Sequence, residues 1–203
     1  MIGPLQGQRG IPRIAEPQPR MPKIMKRFGR LVLRQPAVSD LERHFEIHGD
    51  PATNLYNPAG PTPNIAASER ALARWIEHWR RHGFGTWAVA AADNPERLIG
   101  FGGVGYRTYG SEERLNLGFR FAPEAWGQGL ATELGRAGLE HAFEDLGSEA
   151  VFALVRPANL PSIRTLERLA MRRDGFLDDV PGQAPSLVYV MTAEDFRATA
   201  SRS

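Results

Sequence analysis

The 203-residue sequence contains no cysteine. Disulfides, thiolate metal sites and a cysteine acyl-enzyme are thereby excluded, and a cytoplasmic setting is the default expectation. No stretch comes near the roughly 20 uninterrupted apolar residues of a membrane helix. The first residues lack an apolar core segment as well, so no secretory signal is expected. There is no internal repeat, heptad run or low-complexity block. Histidine is scarce, with five residues, and only His44/His48 and His78/His82 stand four apart. That is zinc-ligand spacing, but no third ligand and no His-Glu-x-x-His accompanies either pair. No metal is expected, and surface or half-buried histidines are the commoner role.

What is present suits one globular domain with a tail: 42% of residues are hydrophobic and 24% charged. The formal net charge of +2 hides an asymmetry. Residues 1–34 carry eight basic residues against the single acid Glu16, leaving 17 basic and 22 acidic residues in the rest. Residues 1–24 mix Gly, Pro, Gln and Arg without apolar period and read as a flexible basic tail, with the domain proper over 25–203. A basic arm can touch nucleic acid, but a solvated leader is the commoner case. Nucleic acid is therefore not the expected partner, and the acidic body suits a cationic amine better than DNA.

Periodicity lays out the elements. Residues 27–35 alternate and read as a first strand. Ser39 and Glu42 have capping-box spacing and predict a helix carrying Leu41, Phe45 and His48 on one side. Residues 50–67, crowded with proline and asparagine, predict an unusually long loop. Leu72, Trp75, Ile76 and Trp79 recur at helical spacing over 68–82. Trp75 and Trp79 suit a substrate groove or, more commonly, core packing. Strands follow at 85–92 and 97–105 around an Asp93-Asn94-Pro95 turn, and again at 114–121. A long helix is expected over 127–146, a strand at 150–155, a helix after Asn159 through Ala170, and a last hairpin pairing 172–177 with 186–191. The order β-α-α-β-β-β-α-β-α-β-β is an α/β arrangement on one sheet.

The stretch 117–134, LGFRFAPEAWGQGLATEL, carries the chemistry. A strand ends at Phe121, Pro123 stops it, and Gly127-Gln128-Gly129 enters a helix. Glycines at that junction let backbone N–H groups approach an anion, and the helix dipole adds to the attraction. Alone, this signal divides between a phosphate loop and a plain tight turn. Thr132 stands where the dinucleotide fingerprint needs its third glycine, and no Gly-Lys-Ser/Thr of a P-loop follows.

The stretch resembles the acyl-CoA loop of the GNAT superfamily, Gln/Arg-x-x-Gly-x-Gly/Ala, with Glu124 in place of Gln or Arg. Trp126 before the first glycine and Ala131-Thr132-Glu133 after the second are similar to the branch containing the ribosomal-protein N-terminal acetyltransferases. Arg30–Arg34, Gly85–Val89, Leu98–Gly103, Leu117–Phe119 and Asn159–Met171 match that branch in the same order. The resemblance spans residues 27 to about 192.

The resemblance implies a single mixed, mostly antiparallel GNAT-type sheet, with a central pair of splayed parallel strands, flanked by helices. It implies acetyl-CoA as co-substrate, held at Phe119, Arg120, Phe121, Trp126, Gly127, Gln128, Gly129, Leu130, Ala131, Thr132, Asn159 and Ser162. Pantetheine would lie between the splayed strands, and a backbone N–H near Phe119–Arg120 would face the thioester oxygen. Asn159 is both an ideal helix cap and, by resemblance, a contact to the CoA arm. Ser162 is either a first-turn helix residue or a donor to the leaving thiolate.

Two departures bear on catalysis. Asn116 stands where the family often has a glutamate base, and Leu166 where many members have a tyrosine acid. Base duty then passes elsewhere, through water to Glu112 or Glu113, or falls away for an acceptor that arrives neutral; Ser162 becomes the candidate acid. Ala170 replaces a glycine that usually ends the last helix. The expected activity is direct acetyl transfer to a primary amine, either a protein N-terminus or a small amine such as an antibiotic or polyamine. The alternative is an acyl-CoA-binding sensor without turnover. A second copy of the chain is a candidate partner.

Overall fold

The computed structural model describes residues 24–200, so the basic tail read from the sequence lies outside it apart from Ile24. Eight strands form one sheet in the order β1-β2-β3-β4-β5-β6-β8-β7. These are β1 (Ile24–Phe28), β2 (Leu31–Arg34), β3 (Trp87–Ala91), β4 (Asn94–Tyr109), β5 (Glu112–Phe121), β6 (Ala150–Val155), β7 (Arg172–Leu177) and β8 (Ser186–Thr192). The helices are α1 (Leu41–Gly49), α2 (Ile65–His82), α3 (Leu130–Glu140), α4 (Leu160–Arg168) and α5 (Ala193–Ala200). Every pairing is antiparallel except β5–β6, which is parallel. This is the mixed sheet expected from the sequence.

The first strand differs from its expectation: 27–35 is a hairpin. Gly29 turns the chain at φ +52, and a Cβ there would run into the Glu133 carboxylate. Only glycine meets both demands. The first helix also starts differently. Asp40, not a Ser39/Glu42 pair, organises its entry, accepting from Ala37 N–H (2.8 Å) and two bonds from Arg34 (2.6 and 2.8 Å). A bidentate arginine outcompetes a serine cap. The buried face of α1 is accordingly His44 and Ile47. Helix α2 starts at Ile65, with Asn64 accepting from Ala67 N–H, so the long loop ends earlier than expected. Helix α5 was not expected. Thr192 and Asp195 cap it reciprocally, Thr192 Oγ1 donating to Asp195 (2.7 Å) and Asp195 N–H donating back (3.1 Å).

Alternation on β3 sorts the layers. Trp87 and Val89 join Leu31, Leu33, Phe121 and α3's Leu130 and Leu134 on one face. Ala88 and Ala90 join Ile47 of α1, Phe101 and Trp75 of α2 on the other. Helices α3 and α4 thus cover one face and α1 and most of α2 the opposite one, with Trp79 of α2 reaching into the α3-side cluster. A third cluster, from Leu115 and Leu117 through Val151, Leu166 and Met191, extends the α3–α4 face across β6 and β8. Ala170 takes φ +60, the one non-glycine with positive φ among the described residues. That costs about 1–2 kcal/mol, which burial of the flanking Leu169 and Met171 offsets.

Candidate active site

Beta-strands β5 and β6 share a single register pair, Asn116 with Phe152. Beyond it the strands part, and Leu117–Phe121 and Ala153–Val155 border an open cleft of about 1350 Å³. Its walls come from both faces of the sheet.

On the α3 side, the chain leaves β5 through a Pro123–Ala125 turn and enters α3 through Gly127 (φ +72) and Gly129 (φ +76). Other residues reach this left-handed conformation at a cost of about 1–2 kcal/mol each. A Cβ at Gly127 would meet nothing within 4 Å, and at Gly129 only Arg30 Nη2 at 3.9 Å. The glycines therefore serve the turn and leave space in front of it. No side chain caps the helix, whose backbone bonds begin with Thr132 and Glu133 N–H on Gly129 O (3.1 and 3.2 Å). The earlier N–H groups and the positive helix end face the cleft, the arrangement that holds a phosphate. Buried Thr132 Oγ1 has no partner among the described residues, a polar orphan beside the same turn. These features fit a pyrophosphate-bearing ligand such as CoA.

The loop is braced from outside. Arg30, in the β1–β2 turn, donates Nε to Glu133 (2.9 Å) and Nη2 to the Gln128 carbonyl (3.1 Å). Gln128 folds its amide back on Glu124 O (3.0 Å), and Trp126 Nε1 donates to Phe121 O (2.9 Å). The Glu124 side chain turns away from the cleft to Arg43 and Arg97. Substitution of the family's Gln or Arg at this position thus leaves the backbone turn intact.

Across the gap, Asn159 Oδ1 accepts from Ser162 N–H (3.2 Å) and starts α4. Ser162 is half-buried and borders the cleft. Leu166 is 2% exposed and belongs to the core.

The opposite wall comes from α1, α2 and the segment between them. Asn116, Gly118 and Arg120 alternate onto this face of β5, beside Gly105, Gly103 and Phe101 of β4. A Cβ at Gly118 would meet only Asn116 Nδ2, at 3.5 Å, so the floor is open there. Asn116 accepts from the Tyr109 hydroxyl (2.7 Å), whose pKa burial pushes up. His48 lines this wall, its ring stacked on buried His44 (4.1 Å between centroids) with Trp75 and Phe101 edge-on. Burial, the neighbouring His44 and the Arg120 charge pull His48 down to about 3. Burial first, then Arg120, pulls His44 to about 4. His78 has both ring nitrogens occupied, by Phe84 O (2.8 Å) and Tyr106 N–H (3.2 Å), and burial lowers its pKa too.

The structure therefore brings together Phe119–Phe121, Trp126, Gly127, Gly129–Thr132, Asn159 and Ser162 around one cleft. It does not bring Glu112 and Glu113 there. Both are exposed near the β4–β5 turn, and Glu112 pairs with Arg114 (2.8 Å). Gln128 points its side chain back along the loop. Trp75 borders the cleft, whereas Trp79 is core, donating to Thr86 O (2.8 Å). No group of three or more His, Asp or Glu residues arranged to hold a metal occurs among the described residues. No helix there is long and apolar enough to cross a membrane. The roles that sequence reasoning missed are those of Arg30, Asn54 and the Arg120 side chain, because their partners lie 66 or more residues away.

Comparison with known proteins agrees with this geometry. The family model described as an acetyltransferase (GNAT) domain matches residues 30–172. The chain is 27% identical to the uncharacterized N-acetyltransferase YnaD of Bacillus subtilis, over 72% of this chain and 82% of that protein. It superposes on a GNAT-family acetyltransferase of Bordetella pertussis with a TM-score of 0.70, at 22% identity, covering 84% of this chain and 99% of that one. It also superposes on RimJ of Mycobacterium smegmatis, solved in complex with CoA-disulfide, with a TM-score of 0.64 at 22% identity over 85% and 89% of the two chains.

Proposed function

Since the chain belongs to the acetyltransferase (GNAT) family, we propose that it transfers the acetyl group of acetyl-CoA to a primary amine, directly and within a ternary complex. One observation carries the reading: β5 and β6 part after Asn116 beside a glycine turn that opens an uncapped helix N-terminus. Acetyl-CoA supplies an activated thioester carbonyl. The Gly127–Thr132 backbone takes its pyrophosphate, main-chain groups of Phe119 and Phe121 its pantetheine amides, and Asn159 its arm. The amine enters over Asn116 and Gly118. The C–N bond forms as the C–S bond breaks, the amine gives up a proton, and the thiolate accepts one.

Asn116 cannot ionise, and His78 has no free lone pair. We assign no side chain the role of tuned base; the acceptor reacts as the neutral amine and its proton leaves through water, with Glu112 and Glu113 as distant relays at most.

Ser162 is the assigned proton donor to the thiolate, since Leu166 carries none. Ser162→Ala is expected to leave acetyl-CoA affinity within a few-fold and lower the transfer rate constant about tenfold, the low end for acid–base assistance because a thiolate departs readily. Stopped-flow transfer at saturating acetyl-CoA checks this. Unchanged transfer would return Ser162 to the helix start and pass the donor role to water, Tyr106 or Tyr109.

A screen of small amines and peptide N-termini with acetyl-CoA, read by free-thiol release, tests the activity itself. Binding without release from any acceptor would favour the sensor reading, which Asn116 and Leu166 keep in play.

A further inference from the structure

Among the described residues, the cleft is bordered by several arginines and a single carboxylate. That carboxylate, Asp179, is already held by Arg156 (3.3 Å). Arg164 and Arg168 sit on α4, on the face where the phosphate loop lies, and suit an anionic nucleotide. A different explanation is needed for Arg74, Arg107 and Arg120. They belong to the opposite face, with α2, β4 and β5, and none has a carboxylate partner among the described residues.

Arg120 is the deepest of the three. It lies directly across from Phe101 in the β4–β5 register, on the face away from α3. Its guanidinium is fixed by Nη1 donating to Asn54 Oδ1. Asn54 is itself 5% exposed and locked by its amide on the His48 and Asp50 carbonyls (2.8 Å each). One neutral acceptor serves a cation with five N–H donors. Burial acts on this guanidinium with no acid against it. Arg120 is partly buried on the wall of the cleft with no counterion, and a ligand anion that enters there gains a charge-assisted partner. Arg120 also sits two residues along the strand from the open Gly118 floor, roughly 7 Å. An amine and a carboxylate a few bonds apart, reached by the arginine side chain, span that distance.

We propose that the acceptor is a primary amine carrying a carboxylate, and that the Arg120 guanidinium receives that carboxylate while Arg74 and Arg107 attract it at the rim. The proposal rests on the reading of this wall as the acceptor side. It runs against polyamines and other polycations, which the acidic composition of the body favoured, because the acids lie elsewhere than the cleft.

The test uses matched pairs: leucine with isoamylamine, phenylalanine with phenethylamine, and γ-aminobutyrate with propylamine. Each is titrated calorimetrically into the full-length, CoA-saturated protein, and each is assayed for transfer. At least one carboxylated member is expected to bind roughly ten- to hundredfold more tightly than its partner, the range for a charge-assisted pair. Arg120→Gln should remove that difference within each pair, because glutamine keeps a hydrogen-bonding side chain but no charge. Arg120→Lys, which keeps the charge, should recover part of it and serves as the control for folding. Equal binding of all pairs, tighter binding of the plain amines, or an equal loss of CoA affinity in Arg120→Gln would overturn the proposal. Preferential binding without transfer supports the carboxylate subsite at Arg120 and counts against the acetyl-transfer reading instead.

Discussion

Gly129→Glu is expected to reduce acetyl-CoA affinity by about three orders of magnitude or more, to below detection. The new Cβ points into space where the protein offers only Arg30 Nη2, 3.9 Å away. The variant chain therefore loses little through clash, and the left-handed backbone at φ +76 costs it about 1–2 kcal/mol. What changes is the electrostatics. A carboxylate would stand in front of the uncapped N–H groups of α3, satisfying them internally and repelling the pyrophosphate assigned to that place. Gly129→Asn separates the two effects, because asparagine tolerates the left-handed region and carries no charge. It should fold similarly and lose far less affinity. Calorimetry with CoA on both variants, with circular dichroism to establish folding, reads the result. Full affinity in a folded Gly129→Glu protein would remove the phosphate assignment.

The second large effect concerns pH. His44 and His48 are held neutral down to about 4 and 3, and burial lowers His78 as well. A histidine with a depressed pKa is unprotonated at every pH above it, so none of these groups gains or loses charge as the solution moves from neutral to alkaline. Asn116 does not titrate at all. The rate at subsaturating acceptor should therefore follow the fraction of neutral amine, rising about tenfold per pH unit until the acceptor's own pKa. That break lies near 8 for a peptide N-terminus and near 10 for an alkyl amine. Profiles with γ-aminobutyrate and with a short peptide test this. The break is expected to move with the acceptor. A break fixed near 7 for both, abolished in His48→Gln, would reveal a dedicated base in the stacked histidine pair.

How much of this was legible in the sequence depends on the range of the signal. The Gly127–Gly129 turn was readable because its demand is local: two positions that need φ > 0 at a strand-to-helix junction. The start of α4 was readable for the same reason, since Asn159 caps within three residues. Where local signals competed, the structure chose by tertiary partners. Ser39 lost to Asp40 because Arg34 reaches Asp40 from the preceding strand. The split of 27–35 into a hairpin was hidden because the alternation of Leu31 and Leu33 belongs to the second strand alone, while the group that braces the turn, Glu133, lies 103 residues beyond Arg30. The cap of α5, Thr192-x-x-Asp195, has the spacing of a capping box but was passed over because it follows directly on the last strand. The acceptor wall was not legible. Asn54 and Arg120 are 66 residues apart and meet only once α1 has packed on the sheet.

The central claim is that acetyl passes from acetyl-CoA to an amine without stopping on the protein. Its most direct test is a single-turnover reaction with radiolabelled acetyl-CoA and protein in excess, quenched with and without acceptor. The account predicts that label leaves CoA only when the amine is present. It then appears on the amine in one-for-one correspondence with free thiol, and none is attached to the chain. Label bound to the protein before the amine is added, or tight acetyl-CoA binding with no transfer to any acceptor, would contradict it.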